Sequence, residues 1–186
     1  MTELIMQQSS TAHWQQLVAE AEARCGADLG EDAQSYLVFL LMRYLRRDDL
    51  LRRLLALGYL QAMASSGTRR AERLRDVGDE CLLIGGLFPG QVRRRRVSLG
   101  YVIGLGQGAY GELAATDGSA LGGLFQHLAQ EFPVLLDVLG QLRGGTPSLD
   151  QLAQAAERFL ETGSAAAQAQ LERVHGLLPP EPPARH

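Results

Sequence analysis

The chain has 186 residues, a length typical of one domain that buries about two thirds of the surface its unfolded form exposes. Hydrophobic residues make up 46% of the sequence and aromatic residues only 6%. Leucine and alanine greatly outnumber β-branched residues, which favours helices and argues against a β-rich fold. All 18 basic residues are arginine, which excludes Schiff-base chemistry and any phosphate loop that depends on a lysine.

The net charge of −3 is distributed unevenly along the chain. Residues 43 to 96 contain 13 arginines and 6 acidic residues, whereas the rest of the chain contains 5 arginines and 15 acidic residues. A basic centre between acidic flanks is suited to docking an acidic partner surface, including the flanks of a second copy. The acidic pI of about 5.8 and the lack of aromatic residues among the arginines argue against a dedicated nucleic-acid-binding protein.

The amino-terminal segment does not resemble an export signal. Its sequence, MTELIMQQSSTAHW, has an acid and no positive charge before any apolar run. The longest uncharged run that could suggest a membrane span, residues 97–111, is shorter than the ~20 residues that a span needs and is rich in glycine. We therefore predict a cytoplasmic protein that has no membrane span.

Cysteine and histidine usage predicts neither a disulfide nor a metal site. Cys25 and Cys81 are the only cysteines, and a pair this sparse is typical of free thiols in a cytosolic chain. Neither stands at metal-ligand spacing from a histidine. The four histidines are His13, His127, His175 and His186. We predict no metal site and no cofactor.

Apolar spacing and capping residues predict about seven or eight helices packed in one bundle. The predicted helices run from Ser9, Ser10 or Thr11 to Cys25, from 28–32 through 44, from 48 or 49 through 62, over 69–85, briefly from Pro89, over 98–115, over 119–142 with an interruption at Pro133, over 148–159 and over 164–174. The sequence therefore predicts an all-α single domain over residues 1–178. The Pro-rich ending predicts a disordered tail at 179–186.

A glycine-rich stretch, LGQGAYGEL, fits two nucleotide-binding patterns by its spacing alone. Gly106, Gly108 and Gly111 follow the dinucleotide pattern G-x-G-x-x-G, which needs a strand before it and a full helix after it. Only residues 112–116 separate the last glycine from the Asp117-Gly118 break, too few for that helix. The kinase pattern additionally needs a strand lysine, an H-R-D loop and a D-F-G motif, none of which is present. We therefore predict that this stretch binds no nucleotide.

The same stretch fits a buried glycine-rich helix over residues 98–115. Apolar and small residues recur there at helical spacing: Leu99, Val102, Ile103, Gly106, Ala109, Tyr110 and Leu113. A second stripe consists of Gly100, Gly104, Gly108 and Gly111. Glycine costs about 1 kcal/mol per residue against alanine in a helix, so we expect this second stripe where another backbone approaches closely.

Four consecutive arginines follow the turn GGLFPG. On a helix they would spread over about 300° of the surface, so at least one would face protein. A buried guanidinium needs a partner, and we predict that Arg95 or Arg96 pairs with Asp79, beside one of two tyrosines. Such a pair would either stabilise the turn or bind an anion. The candidate cluster consists of Asp79, Arg93, Arg94, Arg95, Arg96, Tyr101 and Tyr110.

Residues 74 to 115 resemble a family of uncharacterised, mostly helical bacterial proteins. The residues that carry the resemblance are Gly78-Asp79, Leu83, Gly86-Leu87-Phe88-Pro89, Arg95-Arg96-Val97, Tyr101, Leu105-Gly106, Ala109-Tyr110 and Leu113. Val102 stands where a second tyrosine beside Tyr101 is expected. The resemblance implies a helical fold and brings no activity, cofactor or catalytic residue with it.

Two functional hypotheses follow from these residues. The first is a non-catalytic helical module that binds a protein partner or a second copy of itself. The second is a small-molecule or anion site, or an enzyme, built between helices around Asp79, Arg95 and Tyr110. The sequence pairs no nucleophile with a base and sets no two carboxylates at a defined spacing, so the enzyme takes second place.

Overall fold

A computed structural model describes residues 2–44, 55–94, 96–116 and 120–143, together with residues 160 and 163. These ranges contain eight helices and no strand, which confirms the all-α prediction. The helices are α1 (Thr2–Cys25), α2 (Gly30–Tyr44), α3 (Leu55–Met63), α4 (Gly67–Leu87), α5 (Pro89–Arg94), α6 (Leu99–Thr116), α7 (Ala120–Gln130) and α8 (Phe132–Gln141). Across the described ranges, none of the helices combines the length and apolar character needed to cross a bilayer.

The chain divides into two compact units, Met1–Gly144 and Gly145–His186, and all eight helices belong to the first. Several predictions fall outside the described residues. They are the start of the third helix at Asp48 or Asp49, the start of the predicted helix over 119–142, the helices over 148–159 and 164–174, and the tail at 179–186.

Local sequence signals account for the corner between α1 and α2. Gly26 ends α1 with a positive φ of 64°, as predicted for a glycine just after a helix. The Glu22 carboxylate then accepts a hydrogen bond from the backbone nitrogen of Leu29 at 2.6 Å, and another from Nε2 of Gln34. The predicted cap at residues 9–11 is wrong, because α1 continues through these residues. Serine and threonine cost little inside a helix.

Helix α4 is the central helix of the bundle and packs against α3, α5, α6 and α8. Every residue from Val77 to Gly86 is buried, so this part of the helix is covered on all sides. Glycines allow the close approach, since a side chain at Gly78 would overlap the ring of Tyr110 and one at Gly86 would overlap Leu139. Large side chains of α6 and α8 therefore lie directly on the α4 backbone.

Helix α6 confirms the predicted glycine-rich helix and its inward stripe. The Ser98 hydroxyl caps it by accepting a hydrogen bond from the backbone nitrogen of Tyr101 at 3.1 Å. All seven residues of the predicted inward stripe are buried.

The second glycine stripe of α6 was assigned wrongly to close packing. A β-carbon added at Gly104 or Gly111 would meet nothing within 4 Å, and one at Gly108 would make only ordinary contact with Tyr59. The close approach occurs instead at Gly106, where an added β-carbon would overlap the Phe132 ring and lie 3.0 Å from Cβ of Cys81. Helical spacing showed two stripes, and only the packing partners distinguish them.

The arginine run does not form one helix. Helix α5 ends at Arg94, and Arg96 takes a left-handed backbone conformation with a φ of 56°. The backbone nitrogen of Arg96 donates to the Arg93 carbonyl at 2.9 Å, and that of Val97 donates to the Val92 carbonyl at 3.3 Å. These two bonds are those of a Schellman motif, which usually has glycine at the left-handed position. The helical spread assumed for residues 93–96 therefore does not apply.

Two glycines of α6 form a matched pair that tests the packing. Gly106→Ala places a methyl group against the Phe132 ring, so we expect the free energy of unfolding to fall by about 1–3 kcal/mol. Gly104→Ala adds a methyl group on the exposed face of the same helix, where helix propensity should add up to about 1 kcal/mol. Chemical denaturation measures both values, and equal effects at the two positions would contradict the packing.

The turn after α5 can be tested at its left-handed residue. Arg96→Gly relieves a conformation that costs a residue with a β-carbon about 1–2 kcal/mol, so the variant should be more stable than the parent. Arg94→Gly, at the last helical position, serves as the control and should be less stable by about 1 kcal/mol. Thermal and urea unfolding of both variants would show the opposite signs. A loss of stability in Arg96→Gly would rule out the left-handed turn.

Candidate functional site

A buried carboxyl group joins three helices. Asp79, in the middle of α4, is only 2% exposed. Its Oδ1 atom accepts hydrogen bonds from the Tyr36 hydroxyl on α2 at 2.5 Å and from the Tyr110 hydroxyl on α6 at 2.7 Å. One carboxylate oxygen thus holds two phenols that lie far apart in the sequence.

The rings of Tyr36 and Tyr110 belong to a cluster of aromatic side chains. Tyr36 meets Tyr110 edge-on, with ring centroids 6.2 Å apart, and Phe125 of α7 lies within 5.8 Å of the Tyr36 ring and 5.7 Å of the Tyr110 ring. Phe132 of α8 lies 5.9 Å from Tyr110 on another side. Edge-on and tilted ring pairs at these distances are favourable in protein cores. The two phenol rings that bind the carboxyl group therefore pack with aromatic rings of α7 and α8.

A second tyrosine–aspartate contact lies nearer the surface between the same two helices, α2 and α4. The Tyr44 hydroxyl donates to Oδ1 of Asp76 at 2.9 Å, and Nη2 of Arg43 binds the same oxygen at 3.1 Å. The Arg43 guanidinium also lies over the Tyr44 ring, 5.1 Å from its centre. The side chains of Arg43 and Asp76 are 42% and 28% exposed, so this pair adds little stability compared with the buried contact.

Burial makes Asp79 the titrating member of the buried cluster. Removal from water raises its pKa from 3.8 to about 6, against the opposing hydrogen bonds of the two phenols and the charges of Arg75 and Arg43. Burial and the Asp79 charge raise the pKa values of Tyr36 and Tyr110 far above their ordinary value of 10. Both tyrosines therefore stay protonated and remain donors, while Asp79 changes charge near neutral pH.

The structure brings together only part of the predicted cluster. Asp79 and Tyr110 are in direct contact, whereas Tyr101 is 46% exposed at the surface of α6. Arg96 is exposed and follows the end of α5, so the predicted pair between Arg96 and Asp79 is wrong. The prediction fails because a left-handed turn ends α5 before Arg96.

The rest of the arginine run lies partly outside the described residues. Arg93 and Arg94 are exposed at the end of α5. Arg95 lies outside the described residues, so its pairing with Asp79 stays a prediction. The arginines whose charges act on Asp79 include Arg75, one turn earlier on α4, whose Nε atom is buried without a hydrogen-bond partner.

The sequence analysis missed Tyr36, the closest partner of Asp79. A signal was present: Tyr36 lies three positions after Ala33 and four before Leu40, both on the buried stripe of α2. A phenol on such a stripe needs an acceptor in the core, because a buried hydroxyl is seldom left unpaired. Pairing that requirement with the central aspartate of α4 would have located the contact.

The geometry of the Asp79 cluster supports a structural role more directly than a catalytic one. A carboxyl group with a pKa near 6 is suited to proton transfer, but Asp79 is 2% and Tyr110 0% exposed, so substrate reaches neither in this conformation. Within the described ranges, no group of three or more His, Cys, Asp or Glu side chains lies close enough together to hold a metal ion. The cluster is therefore best described as a buried polar junction of α2, α4 and α6.

No family model matches this chain, and comparisons with curated proteins and with solved structures also find no match. The resemblance of residues 74 to 115 to helical bacterial proteins stays a prediction.

The pH dependence of stability tests the environment of Asp79. Its folded pKa of about 6 lies above the unfolded value of 3.8, so its contribution to stability is fully present below pH 3.8 and is lost as the pH rises through 6. Asp79→Asn does not titrate. We expect the parent to lose about 3 kcal/mol relative to this variant between pH 3.5 and pH 7, measured by urea unfolding.

Two tyrosine variants extend this measurement, one that should change the pH profile and one that serves as its control. Tyr36→Phe removes a hydrogen bond that lowers the pKa of Asp79, so the loss of stability should extend to higher pH. Tyr101→Phe, at an exposed position, should leave the pH profile unchanged. If the difference between the parent and Asp79→Asn stays constant from pH 3.5 to 7, the raised pKa is disproved.

Proposed function

We propose that this chain is a non-catalytic helical module that binds a protein partner or a second copy of itself. The polar groups best suited to chemistry, Asp79 and Tyr110, bind each other inside the core. This supports a structural role for them. Cys25 is partly buried and Cys81 is buried, and neither thiol forms a disulfide, which supports placing the module in the reducing cytoplasm.

The observation that carries the proposal is the surface of α3. Leu57 is 49% exposed and Leu60 is 65% exposed, although both belong to a helix that also contributes the buried residues Leu55 and Ala62 to the core. Single exposed leucines are common on protein surfaces, whereas apolar side chains grouped on one face mark interaction surfaces. A partner protein that covers this face of α3 would remove Leu57 and Leu60 from water.

The alternative, a small-molecule or anion site around Asp79, Arg95 and Tyr110, ranks second. Its support is the partly buried Arg75 near the cluster, whose Nε atom lacks a hydrogen-bond partner and would suit an anion. Asp79 is only 2% exposed, so a ligand would have to displace packed side chains to reach the carboxyl group.

Light scattering over a range of concentrations and native mass spectrometry distinguish the two functions. The proposal predicts either a mass that rises above the monomer value of 20.2 kDa or binding to a polypeptide probe, and in both cases no retained small molecule. Self-association should be lost in Leu57→Gln/Leu60→Gln and kept in Phe39→Gln, a change at an equally exposed apolar residue on α2. A monomer that retains a small ligand, and loses it in Asp79→Asn, would favour the alternative.

A further inference from the structure

Helix α3 presents an apolar face to solvent. The outward residues include Leu57, Leu60 and Met63, which are 49%, 65% and 38% exposed. Their spacing of three places each beside the next on one side of the helix. Ala56 and Ala64 lie on the same side, and Gln61 is the only polar side chain among the exposed residues of α3. The face is therefore continuous and almost entirely apolar.

The opposite face of α3 is apolar as well. Leu55 and Ala62 are buried in the core, and the backbone of Gly58 approaches the Val77 side chain of α4 so closely that a β-carbon there would lie 3.2 Å from it. The sequence of the helix, LALGYLQAM, contains no charged residue. A surface helix normally carries charged residues on its solvent face, and a helix that is apolar all round is normally covered. The composition of α3 thus indicates a helix with a second packing partner.

Arginines border the C-terminal end of this face. Nη1 of Arg73 donates to the Gln61 carbonyl at 3.1 Å and to the Ser65 hydroxyl at 2.8 Å, both neutral acceptors. Nη2 of Arg70 lies 3.6 Å from the Met63 sulfur and pairs with a carboxylate of α6 at 2.6 Å. Among the described residues, the Arg73 guanidinium therefore binds only neutral acceptors, and it lies beside the apolar face, where an acid of a partner could reach it.

We infer that this face binds an amphipathic helix of a partner protein that carries carboxylates at one end. Its apolar side chains would cover Leu57, Leu60 and Met63, and its acidic end would lie at Arg73. The inference rests on the proposed function and specifies the chemistry of the partner. A second copy of α3 fits less well, because α3 has no acidic residue to offer Arg73.

Synthetic helical peptides test this inference against the full chain. The probe is a dye-labelled peptide of about five helical turns with leucines along one side and glutamates at one end. Two matched peptides carry glutamine or lysine in place of the glutamates. Fluorescence anisotropy should show that the acidic peptide binds about tenfold more tightly than the glutamine peptide, and that the lysine peptide binds most weakly.

Variants of the chain locate the binding site. Leu57→Gln/Leu60→Gln should weaken binding of the acidic peptide at least about tenfold, because it removes the apolar contact. Arg73→Gln should abolish the preference for the acidic peptide and leave binding of the glutamine peptide unchanged. Phe39→Gln is the matched control and should bind like the parent. Circular dichroism should show equal helix content in the parent and in the two apolar variants, since their changed side chains are exposed, and it checks that Arg73→Gln stays folded.

The possible outcomes separate this inference from the proposed function. Peptide binding that survives in Leu57→Gln/Leu60→Gln and is lost in Phe39→Gln would overturn the α3 site while keeping the proposed function. A concentration-dependent dimer that disappears in Leu57→Gln/Leu60→Gln would show that a second copy occupies the face, and would also overturn the partner inference. Absence of both peptide binding and self-association would overturn the inference and the proposed function together.

Discussion

The carboxyl group of Asp79 imposes the main constraint on this bundle. A carboxyl group this deeply buried is costly unless hydrogen bonds replace the water it has lost, and the phenols of Tyr36 and Tyr110 provide those bonds to one oxygen. The donors come from two different helices, α2 and α6. Separating either helix from α4 would leave buried polar groups unpaired, so the contact favours one arrangement of the three helices over other packings of the same apolar surfaces.

The same constraint explains where the small and aromatic residues lie. Gly78 precedes Asp79, and its lack of a side chain lets the Tyr110 ring lie against the α4 backbone and reach the carboxyl oxygen. Phe125 and Phe132 then pack around that ring. Polar groups that could take part in chemistry are therefore used inside the protein, while the apolar side chains of α3 face outward. This division is one basis of the proposal that the chain recognises another protein.

Sequence reasoning failed where a local pattern had two three-dimensional interpretations. The arginine run was treated as a continuous helix, but a Schellman turn ends the helix and carries Arg96 into solvent. An apolar stripe and a glycine stripe on α6 were both compatible with burial, and the glycine stripe assigned to close contact contains the exposed Gly104. In both cases the residue pattern was recognised correctly, and its place in the fold was not. The missing information was the position of neighbouring helices.

The sequence alone determined the helical class and the inward stripe of α6. It also determined the end of α1 at Gly26, the start of α5 at Pro89 and the start of α6 at Ser98. These features depend on residues within one or two turns, where backbone preferences, caps and apolar spacing act. Only the tertiary structure decided that Tyr36 and Tyr110 share an oxygen of Asp79, that Phe132 lies on Gly106, and that one face of α3 stays uncovered. Such contacts join residues distant in the chain, and they depend on how whole helices pack.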